Sequence, residues 1–424
     1  MPRIRSIKGL EILDSRGRPT VKATCALQSG ASASASVPSG ASTGGAEAVE
    51  LRDGDPSRYG GYGCLKAVSH INGEIKRKLS DRAYATQAEL DRALIDLDGT
   101  ADKSRLGANA ILAVSIAYAR ACALEGGTPL YRYFAEMLGQ PITRMPRPTV
   151  NLFSGGLHGG QQVAIQDVLA VPASAGSIRQ SLEITHAVYT AAVELLAVRF
   201  DAPWLTADEG GLAPPVNMAE ALLELAVQAI ERAGLTPGLH VSLAVDLASS
   251  HFFRNGDYHL DGKTLKSPEM IGQLRDWASR YPIVSLEDGL AEEDWEHWPE
   301  LCERLSPGTL TLGDDLLCTH PRRIEKAIHS NACNALLLKV NQIGSLTEAL
   351  EACRLARDAG WMVTVSVRSG ETEDDWFSDL AVGWSGHQTK AGSITQSERL
   401  AKYNRLLEIE QELSLPMIPW PLMA

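Results

Sequence analysis

The 424-residue chain has a formal net charge of −12 at pH 7, with 44% hydrophobic and 22% charged residues. Its length leaves room for two domains, and its composition is that of a soluble globular protein. The acidic balance disfavours binding to nucleic acid or to an anionic membrane, since both need a basic face. No apolar run approaches the length of a membrane span and the N-terminus lacks the apolar core of a signal peptide, so we expect a cytoplasmic protein.

Residues 1–137 predict a small α+β domain. Alternating apolar and polar residues over 4–27 indicate strands. Helical periodicity follows in three segments, at 61–79, 87–97 and 107–124. A proline-containing stretch at 139–148 then indicates a linker, so that residues 138–424 form the second predicted domain.

The segment 29–46 within the first domain is rich in serine, alanine and glycine. Composition alone predicts a mobile loop or linker there. The alternative is a lid whose hydroxyl and backbone N–H groups close on a phosphate or a metal ion. The residue types by themselves do not decide between these two interpretations.

In the second domain, a glycine-rich turn at 155–160 contains a histidine, and two acids lie on a tight turn at 208–211. His158 is either a satisfied structural histidine or a residue that faces a ligand, and the two acids are either functional or part of a solvated loop. The segment 255–262 lacks the ligand spacing of a calcium loop and predicts a hairpin turn. The seven cysteines include no Cys-x-x-Cys pair, so neither a zinc site nor a disulfide framework is indicated.

Short apolar segments that end in charged residues recur through the rest of the chain. Their charged ends are Asp246, Glu287, Asp314, Lys339 and Arg368. Each interval between them is about the length of one strand, one helix and two loops. Helical periodicity fills three of the intervals, at 269–281, 322–331 and 345–358. Repeated βα units with polar residues at the strand ends predict a (β/α) barrel with three acids, a lysine and an arginine on its catalytic rim.

Lys339 directly follows the apolar run 335–338, which suits a strand that is buried on both faces. A lysine is tolerated at such a place only when a negative partner or a chemical role requires it. A salt bridge to the barrel acids is the structural interpretation. A role in catalysis is the functional one.

Eight motifs in order resemble the enolase family over nearly the whole chain. They are VPSGASTG at 37–44, DGT with GANAIL within 98–112, DEGG at 208–211, VSLEDG at 284–289, GDD at 313–315, LKVNQIG at 338–344, RSGET at 368–372 and SERLAK at 397–402. The resemblance implies an α/β fold, an enolase-type (β/α)8 barrel that opens ββαα, with an N-terminal α+β capping domain. It also implies two Mg²⁺ ions per site, an oligomer built on a dimer, and a substrate that resembles 2-phosphoglycerate.

The resemblance assigns a role to each matching residue. It makes three carboxylates the ligands of a tightly held Mg²⁺: Asp246, Glu287 and Asp314. It makes Ser42, on the lid, a ligand of a second Mg²⁺. It implies that Arg368 and Ser369 bind the phosphate, the arginine through its planar fork.

The same resemblance divides the proton transfers between two faces of the substrate. Lys390 matches the lysine that stabilises the developing carboxylate charge. Lys339 matches the base, and we expect the surrounding cations to lower its pKa. Glu209 is expected to protonate the departing hydroxyl, with Asp167 and His158 nearby, and His158 also counts among the substrate contacts.

The chain departs from the family pattern around the site. Val367 and Ser154 replace a histidine and an asparagine, Asp167 replaces a glutamate, Ala207 replaces a glycine, and His251 replaces an acid. We infer that the enolate chemistry is retained while the substrate or the second half-reaction has changed. One such role is that of an enolase paralogue in phosphonate biosynthesis, which forms a carboxyphosphonoenolpyruvate. A plain glycolytic enolase and a non-catalytic enolase-like binding protein are the alternatives, and the retained metal and lysine residues argue against the second.

Two positions bear on oligomeric state. Where many enolases pair a glutamate and an arginine across the dimer, this chain has Lys22 and Glu408. The signs are exchanged but complementary, which predicts the same kind of homodimer. Two unrelated surface changes are the alternative.

Overall fold

The computed structural model, which describes residues 1–41, 43–200 and 205–420, contains a three-stranded sheet with packed helices and a closed eight-stranded barrel. The N-terminal part consists of β1 (Ile4–Leu13), β2 (Pro19–Leu27), β3 (Ser32–Ser36), α1 (Leu65–His70), α2 (Lys76–Leu79), α3 (Gln87–Asp98), α4 (Ala108–Glu125) and α5 (Leu130–Leu138). The sheet is antiparallel throughout, in the order β1-β2-β3. These elements confirm the predicted α+β character.

Two local predictions for this part are corrected. Ser32–Ser36 forms a strand within the segment 29–46, whose composition predicted a loop. Its backbone pairs with β2, and the buried Ala35 lies against the core, so pairing and burial outweigh the low strand propensity of serine and alanine. The helix predicted over 61–79 is also shorter, because α1 begins at Leu65 and continues through a wider helical turn at Ile71–Ile75 into α2.

Helix α4 lies across the sheet and contacts β2 and β3. It is apolar on all sides and almost wholly buried. Both α4 and α6 (Ile178–Phe200) have the length and mean hydropathy, 1.2, of a membrane span, which the sequence analysis did not find. Here α4 belongs to the core and α6 packs against its neighbouring helix and the barrel.

The barrel opens with two strands and two helices before it settles into alternating strands and helices, as the resemblance implied. The remaining elements are β4 (Arg147–Ser154), β5 (Asp167–Val171), α7 (Ala219–Arg232), β6 (Ser242–Asp246), β7 (Phe253–Arg254), β8 (Asp257–Leu260), β9 (Lys263–Leu265), α8 (Ser267–Arg280), β10 (Ile283–Glu287), α9 (Trp298–Leu305), β11 (Leu310–Gly313), α10 (Pro321–Ser330), β12 (Ala335–Leu338), α11 (Val340–Ile343), α12 (Leu346–Asp358), β13 (Met362–Ser366), α13 (Trp376–Gly383), β14 (Gln388–Lys390) and α14 (Ser397–Leu413). The closed order is β10-β11-β12-β13-β14-β4-β5-β6, while β7, β8 and β9 form the predicted hairpin region outside it.

Strand β5 runs antiparallel to both of its neighbours, β4 and β6. Its first residue, Asp167, therefore lies at the barrel end where the other strands finish, level with Ser154 and Asp246. Toward the opposite end, Trp420 shares a buried apolar cluster with Leu169 and Val171 of β5. The interior is thus apolar toward one end, and the other end collects the charged residues.

Candidate active site

Lys390 lies between two carboxylates at the carboxyl ends of the strands. Its Nζ donates to Asp246 Oδ2 at 2.7 Å and to the two Glu287 oxygens at 2.7 and 2.8 Å. Burial lowers the pKa of Lys390, but the two carboxylate charges outweigh it and raise the pKa well above its usual value. Burial raises the pKa of Asp246, but the Lys390 charge brings it below the usual range. The pKa of Glu287 is raised by burial and by the charge of Asp246.

Lys339 follows β12 and contacts Asp314, which follows β11. The Lys339 ammonium donates to Asp314 Oδ2, and Gln342 Nε2 donates to Oδ1 of the same carboxylate at 2.8 Å. Burial lowers the pKa of Lys339, but Asp314 outweighs it and the pKa is raised. This direction is opposite to the expected one, because the protein places its own carboxylate against the ammonium.

The three carboxylates predicted as metal ligands offer only hard oxygen donors, which suit Mg²⁺. Lys390 bridges Asp246 and Glu287, whereas Lys339 pairs with Asp314 alone. The three carboxylates do not together form one of the compact groups of possible metal ligands found in the described part of the chain. Beside them, Gln166 donates to Asp246 Oδ2 at 3.1 Å, while its buried carbonyl oxygen has no partner among the described residues. The crowded like charges of Asp246 and Glu287, with an unpaired oxygen beside them, fit a divalent cation.

A second group of acids, Asp288, Asp314 and Asp315, brings its oxygen atoms within 4.8 Å of one another. Asp288 accepts the backbone N–H groups of Asp314 at 2.9 Å and Asp315 at 2.8 Å, so it fixes the turn that presents Asp314. Burial and then the neighbouring charge of Asp315 raise the pKa of Asp288. Burial and Asp314 raise the pKa of Asp315 to about 8.

The structure brings together the three residues expected on the leaving-group face. Ligand atoms of His158, Asp167 and Glu209 lie within 4.8 Å of one another, and all three residues are buried. His158 Nδ1 lies 3.1 Å from Asp167 Oδ2, and Ser154 Oγ donates to Asp167 Oδ1 at 2.6 Å. Burial raises the pKa of Asp167. Burial lowers the pKa of His158, but the charge and hydrogen bond of Asp167 outweigh it and raise the pKa.

Glu209 belongs to the turn between α6 and α7 and reaches the barrel end through Asn151 on β4. Asn151 Nδ2 donates to Glu209 Oε2 at 3.1 Å, and Asn151 is fully buried. Burial raises the pKa of Glu209, but the charges of His158, Arg399 and both site lysines bring it below its usual value. The surrounding positive charges therefore favour the ionised form of Glu209.

Arg368, two residues after β13, holds the carboxylate of Glu47, the residue directly after the segment 29–46 that the sequence analysis considered as a lid. Its Nη1 and Nη2 each donate to one oxygen of Glu47 at 3.0 Å, and both side chains are buried. Glu47 Oε1 also accepts the backbone N–H of Gly44 at 3.1 Å. The Arg368 guanidinium, which the sequence analysis predicted to bind a phosphate, thus already contacts the Glu47 carboxylate.

Ser369 lies beside Arg368 and is also buried. Its hydroxyl accepts a hydrogen bond from Arg16 Nη1 at 3.1 Å, while Arg399 donates to the carbonyl oxygens of Arg368 and Ser369 at 2.8 and 2.6 Å. The main chain at the predicted phosphate site is thereby fixed. The predicted second-metal ligand, Ser42, lies outside the described residues.

The structure shows the surroundings of three residues that depart from the family pattern. Val367 is 4% exposed, and its backbone N–H donates to Lys390 O at 3.0 Å, so an apolar side chain stands beside the site. His251 is half-buried, and burial followed by the nearby His158 charge lowers its pKa despite Asp246. Ala207 is buried at the turn that carries Glu209.

Sequence reasoning missed three contacts at the site. They are those of Glu47 with Arg368, Asn151 with Glu209, and Arg16 with Ser369. The sequence around Arg16 gave no sign that its side chain would contact Ser369. An acid two residues after the glycines at 44–45 was the available signal for Glu47, since a buried arginine needs a negative partner.

Two family models match the chain. One, described as "Enolase, N-terminal domain", matches residues 4–134. The other, described as "Enolase, C-terminal TIM barrel domain", matches residues 142–417. The two matches follow each other in chain order and together span most of the 424 residues.

Proposed function

Since the chain belongs to the enolase family, we propose that it is a Mg²⁺-dependent lyase acting on 2-phosphoglycerate or a close analogue. The reaction removes the proton α to a carboxylate and expels the β-hydroxyl. One observation carries the proposal. Three acids, two lysines and the Arg368 fork share the charged end of the barrel with a histidine and two further acids.

The α-proton of a carboxylate is very weakly acidic, so the reaction needs strong stabilisation of the dianion that forms. Asp246, Glu287 and Asp314 would hold Mg²⁺, which supplies positive charge next to the substrate carboxylate when bound. Lys390, kept as an ammonium by its carboxylates, adds a fixed charge. Lys339 would accept the α-proton at Nζ, which requires its neutral amine; a cation held by Asp314 would offset the carboxylate charge that raises the pKa of Lys339.

The remaining groups orient the substrate. Arg368 and Ser369 would bind the phosphate, the arginine after exchange of Glu47 for the substrate oxygens. His158, Asp167 and Glu209 face the β-hydroxyl, which leaves as water once it is protonated. The buried positions of these groups exclude bulk water from the reacting atoms.

The valine at position 367 supports a second candidate function, that of an enolase paralogue in phosphonate biosynthesis. An apolar residue beside the site removes a hydrogen-bond donor from its surroundings, which fits a changed phosphorus-containing end of the substrate. The non-catalytic alternative is disfavoured, because two buried lysines are kept in contact with three buried acids.

The first experiment follows phosphoenolpyruvate formation from 2-phosphoglycerate and Mg²⁺ by ultraviolet absorbance. We expect Mg²⁺-dependent product formation. A kcat at or above the typical enzyme value of about 10 s⁻¹ would exclude the changed-substrate candidate. If the C2 proton of the substrate exchanges with solvent but no product forms, an analogue is favoured as the substrate. If the C2 proton does not exchange and no product forms, the result contradicts 2-phosphoglycerate as a ligand.

We also propose a cytoplasmic homodimer. Lys22 lines a polar cavity of about 580 Å³ together with Glu371 and Asp374, and Glu408 is largely exposed, with Arg405 as its partner at 2.9 Å. Both predicted contact residues are therefore at the surface. Sedimentation velocity at micromolar concentration is expected to show a dimer, and Lys22→Glu should weaken it about tenfold through like-charge repulsion.

The double exchange Lys22→Glu with Glu408→Lys serves as the control for this prediction. It restores opposite charges and should recover the dimer. A wild-type chain that sediments only as a monomer would contradict the proposal.

A further inference from the structure

Two fully buried polar residues, Thr319 and Gln342, lie beside the Asp314 carboxylate. Thr319 belongs to the turn between β11 and α10, and Gln342 belongs to α11, which begins directly after Lys339. Their side chains connect these two segments through hydrogen bonds. Both residues therefore lie behind the pair that Asp314 and Lys339 form.

Four hydrogen bonds form a closed ring that starts and ends at Lys339. The Lys339 backbone N–H donates to Thr319 Oγ1 at 2.9 Å, and the Thr319 hydroxyl donates to Gln342 Oε1 at 2.7 Å. Gln342 Nε2 donates to Asp314 Oδ1 at 2.8 Å, and the Lys339 ammonium donates to Asp314 Oδ2. The ring thus links the carboxylate to both the backbone and the side chain of Lys339.

The chemistry of the groups fixes the direction of each hydrogen bond in this ring. A backbone N–H can only donate, and an ionised carboxylate can only accept. The Thr319 hydroxyl therefore accepts from Lys339 and directs its own proton to the Gln342 carbonyl oxygen. That contact leaves the amide NH₂ group of Gln342 facing Asp314. The hydroxyl thus determines which end of the amide the carboxylate meets.

The turn that carries Thr319 has a strained backbone. Cys318 and Thr319 have φ angles of +47° and +51°, in the left-handed region that a residue with a branched Cβ rarely adopts. Such conformations persist only where the surrounding structure imposes them, and they cluster at functional sites. The Cys318 N–H donates to Asp314 O at 2.7 Å, so the turn folds back onto the residue that the ring holds. This conformation places the Thr319 hydroxyl between Lys339 and Gln342.

We propose that Gln342 and Thr319 are positioning residues that fix the orientation of the Asp314 carboxylate relative to Lys339. Gln342 acts directly on Oδ1, and Thr319 acts through Gln342. Because Oδ1 is bonded to the amide, the ammonium engages Oδ2 alone, and the carboxylate does not turn to pair with the lysine through both oxygens. The inference rests on the proposed function, in which Asp314 would hold Mg²⁺.

Isothermal titration calorimetry with MgCl₂, without substrate, measures the effect on the proposed metal ligand. Gln342→Met should weaken Mg²⁺ binding by about 10- to 100-fold, the range found when a residue that orients a metal ligand is lost. Thr319→Val keeps the shape of the side chain but lacks the hydroxyl, and it should weaken binding about tenfold. Thr319→Ser restores the hydroxyl and should retain the wild-type affinity. The double variant Thr319→Val with Gln342→Met should bind no more weakly than Gln342→Met alone.

Two buried residues of the same types supply matched controls. Gln388 is 2% exposed, and its Nε2 donates to Thr149 Oγ1 at 2.8 Å. Thr389 is fully buried, and its hydroxyl has no partner among the described residues. Gln388→Met and Thr389→Val should leave the Mg²⁺ affinity unchanged. Their melting temperatures show how much such a substitution affects stability by itself.

Three outcomes of the titrations would overturn the inference. The first is wild-type Mg²⁺ affinity in Gln342→Met. The second is an equal loss in Thr319→Ser and Thr319→Val, which is the result of a merely structural role. The third is a double variant whose loss is the product of the two single losses, because Thr319 would then act independently of Gln342.

A second measurement needs neither metal nor substrate. Amide hydrogen exchange in ¹⁵N-lysine-labelled protein should show a protected Lys339 N–H in the wild type and in Thr319→Ser, and faster exchange in Thr319→Val. The side-chain NH₂ signals of Gln342, assigned by their loss in Gln342→Met, should shift in Thr319→Val. Unchanged exchange and unchanged NH₂ signals would overturn the inference. A wild-type chain that binds no Mg²⁺ would contradict the proposed function, and these signals would still decide whether Thr319 and Gln342 hold the carboxylate.

Discussion

Lys339→Ala is expected to lower kcat by roughly 10³ to 10⁴-fold, the upper part of the range for a general base. The variant should also lose exchange of the substrate C2 proton, because no other described amine stands as close to the Asp314 side of the barrel end. This loss of exchange distinguishes the α-proton step from the later loss of hydroxide. Both rates are measured on one sample by NMR in D₂O.

Loss of Lys339 also leaves Asp314 without its buried ammonium partner, which lowers the free energy of unfolding by about 3 to 5 kcal/mol. Lys103→Ala is therefore the matched control. Lys103 is 2% exposed and pairs with Glu348 at 3.0 Å, so the control removes a buried lysine from an ion pair away from the strand ends. A Lys339→Ala variant within tenfold of the control in kcat would contradict the base assignment.

Asp246→Asn is expected to weaken Mg²⁺ binding by about 100-fold or more, since even residues behind the direct ligands affect metal affinity by 10 to 100-fold. The substitution removes one anionic donor of the proposed metal site and one partner of Lys390. Isothermal titration calorimetry with MgCl₂ measures the affinity directly. Chelation with EDTA should abolish turnover of the wild-type protein, and added Mg²⁺ should restore it.

Asp379→Asn is the control for this substitution. Asp379 is also buried and pairs with Arg405 at 2.8 Å, but it lies on α13 outside the barrel end. Equal Mg²⁺ affinity in Asp246→Asn and the control would remove Asp246 from the ligand set. A wild-type chain that binds no Mg²⁺ would favour the non-catalytic alternative.

The barrel could be predicted because the amino-acid pattern of its strands follows directly from their burial. Runs such as 335–338 are apolar without alternation, as strands buried on both faces must be, and the structure confirms β12 there. The failure at β3 has an equally physical cause. Serine and alanine have little strand preference of their own, so only the neighbouring strand β2 and the helix above it determine that segment.

The residues of the site were predictable one at a time, but their contacts were not. A charged residue at the end of an apolar run identifies Lys339 and Asp246, yet nothing in the sequence shows which acid each lysine contacts. Asp167 gave a further difficulty, because it begins a strand instead of ending one. Only the reversed direction of β5 brings it to the charged end of the barrel.

The contact between Glu47 and Arg368 has a consequence for selectivity among the small anions of a cell. Because the guanidinium already holds a carboxylate through two hydrogen bonds, binding of a phosphate there is an exchange of one anion for another. Free phosphate or sulfate gains little from such an exchange, whereas a ligand that also reaches Lys390 and His158 gains from several contacts at once. We therefore expect the barrel to discriminate against abundant inorganic oxyanions without any steric barrier.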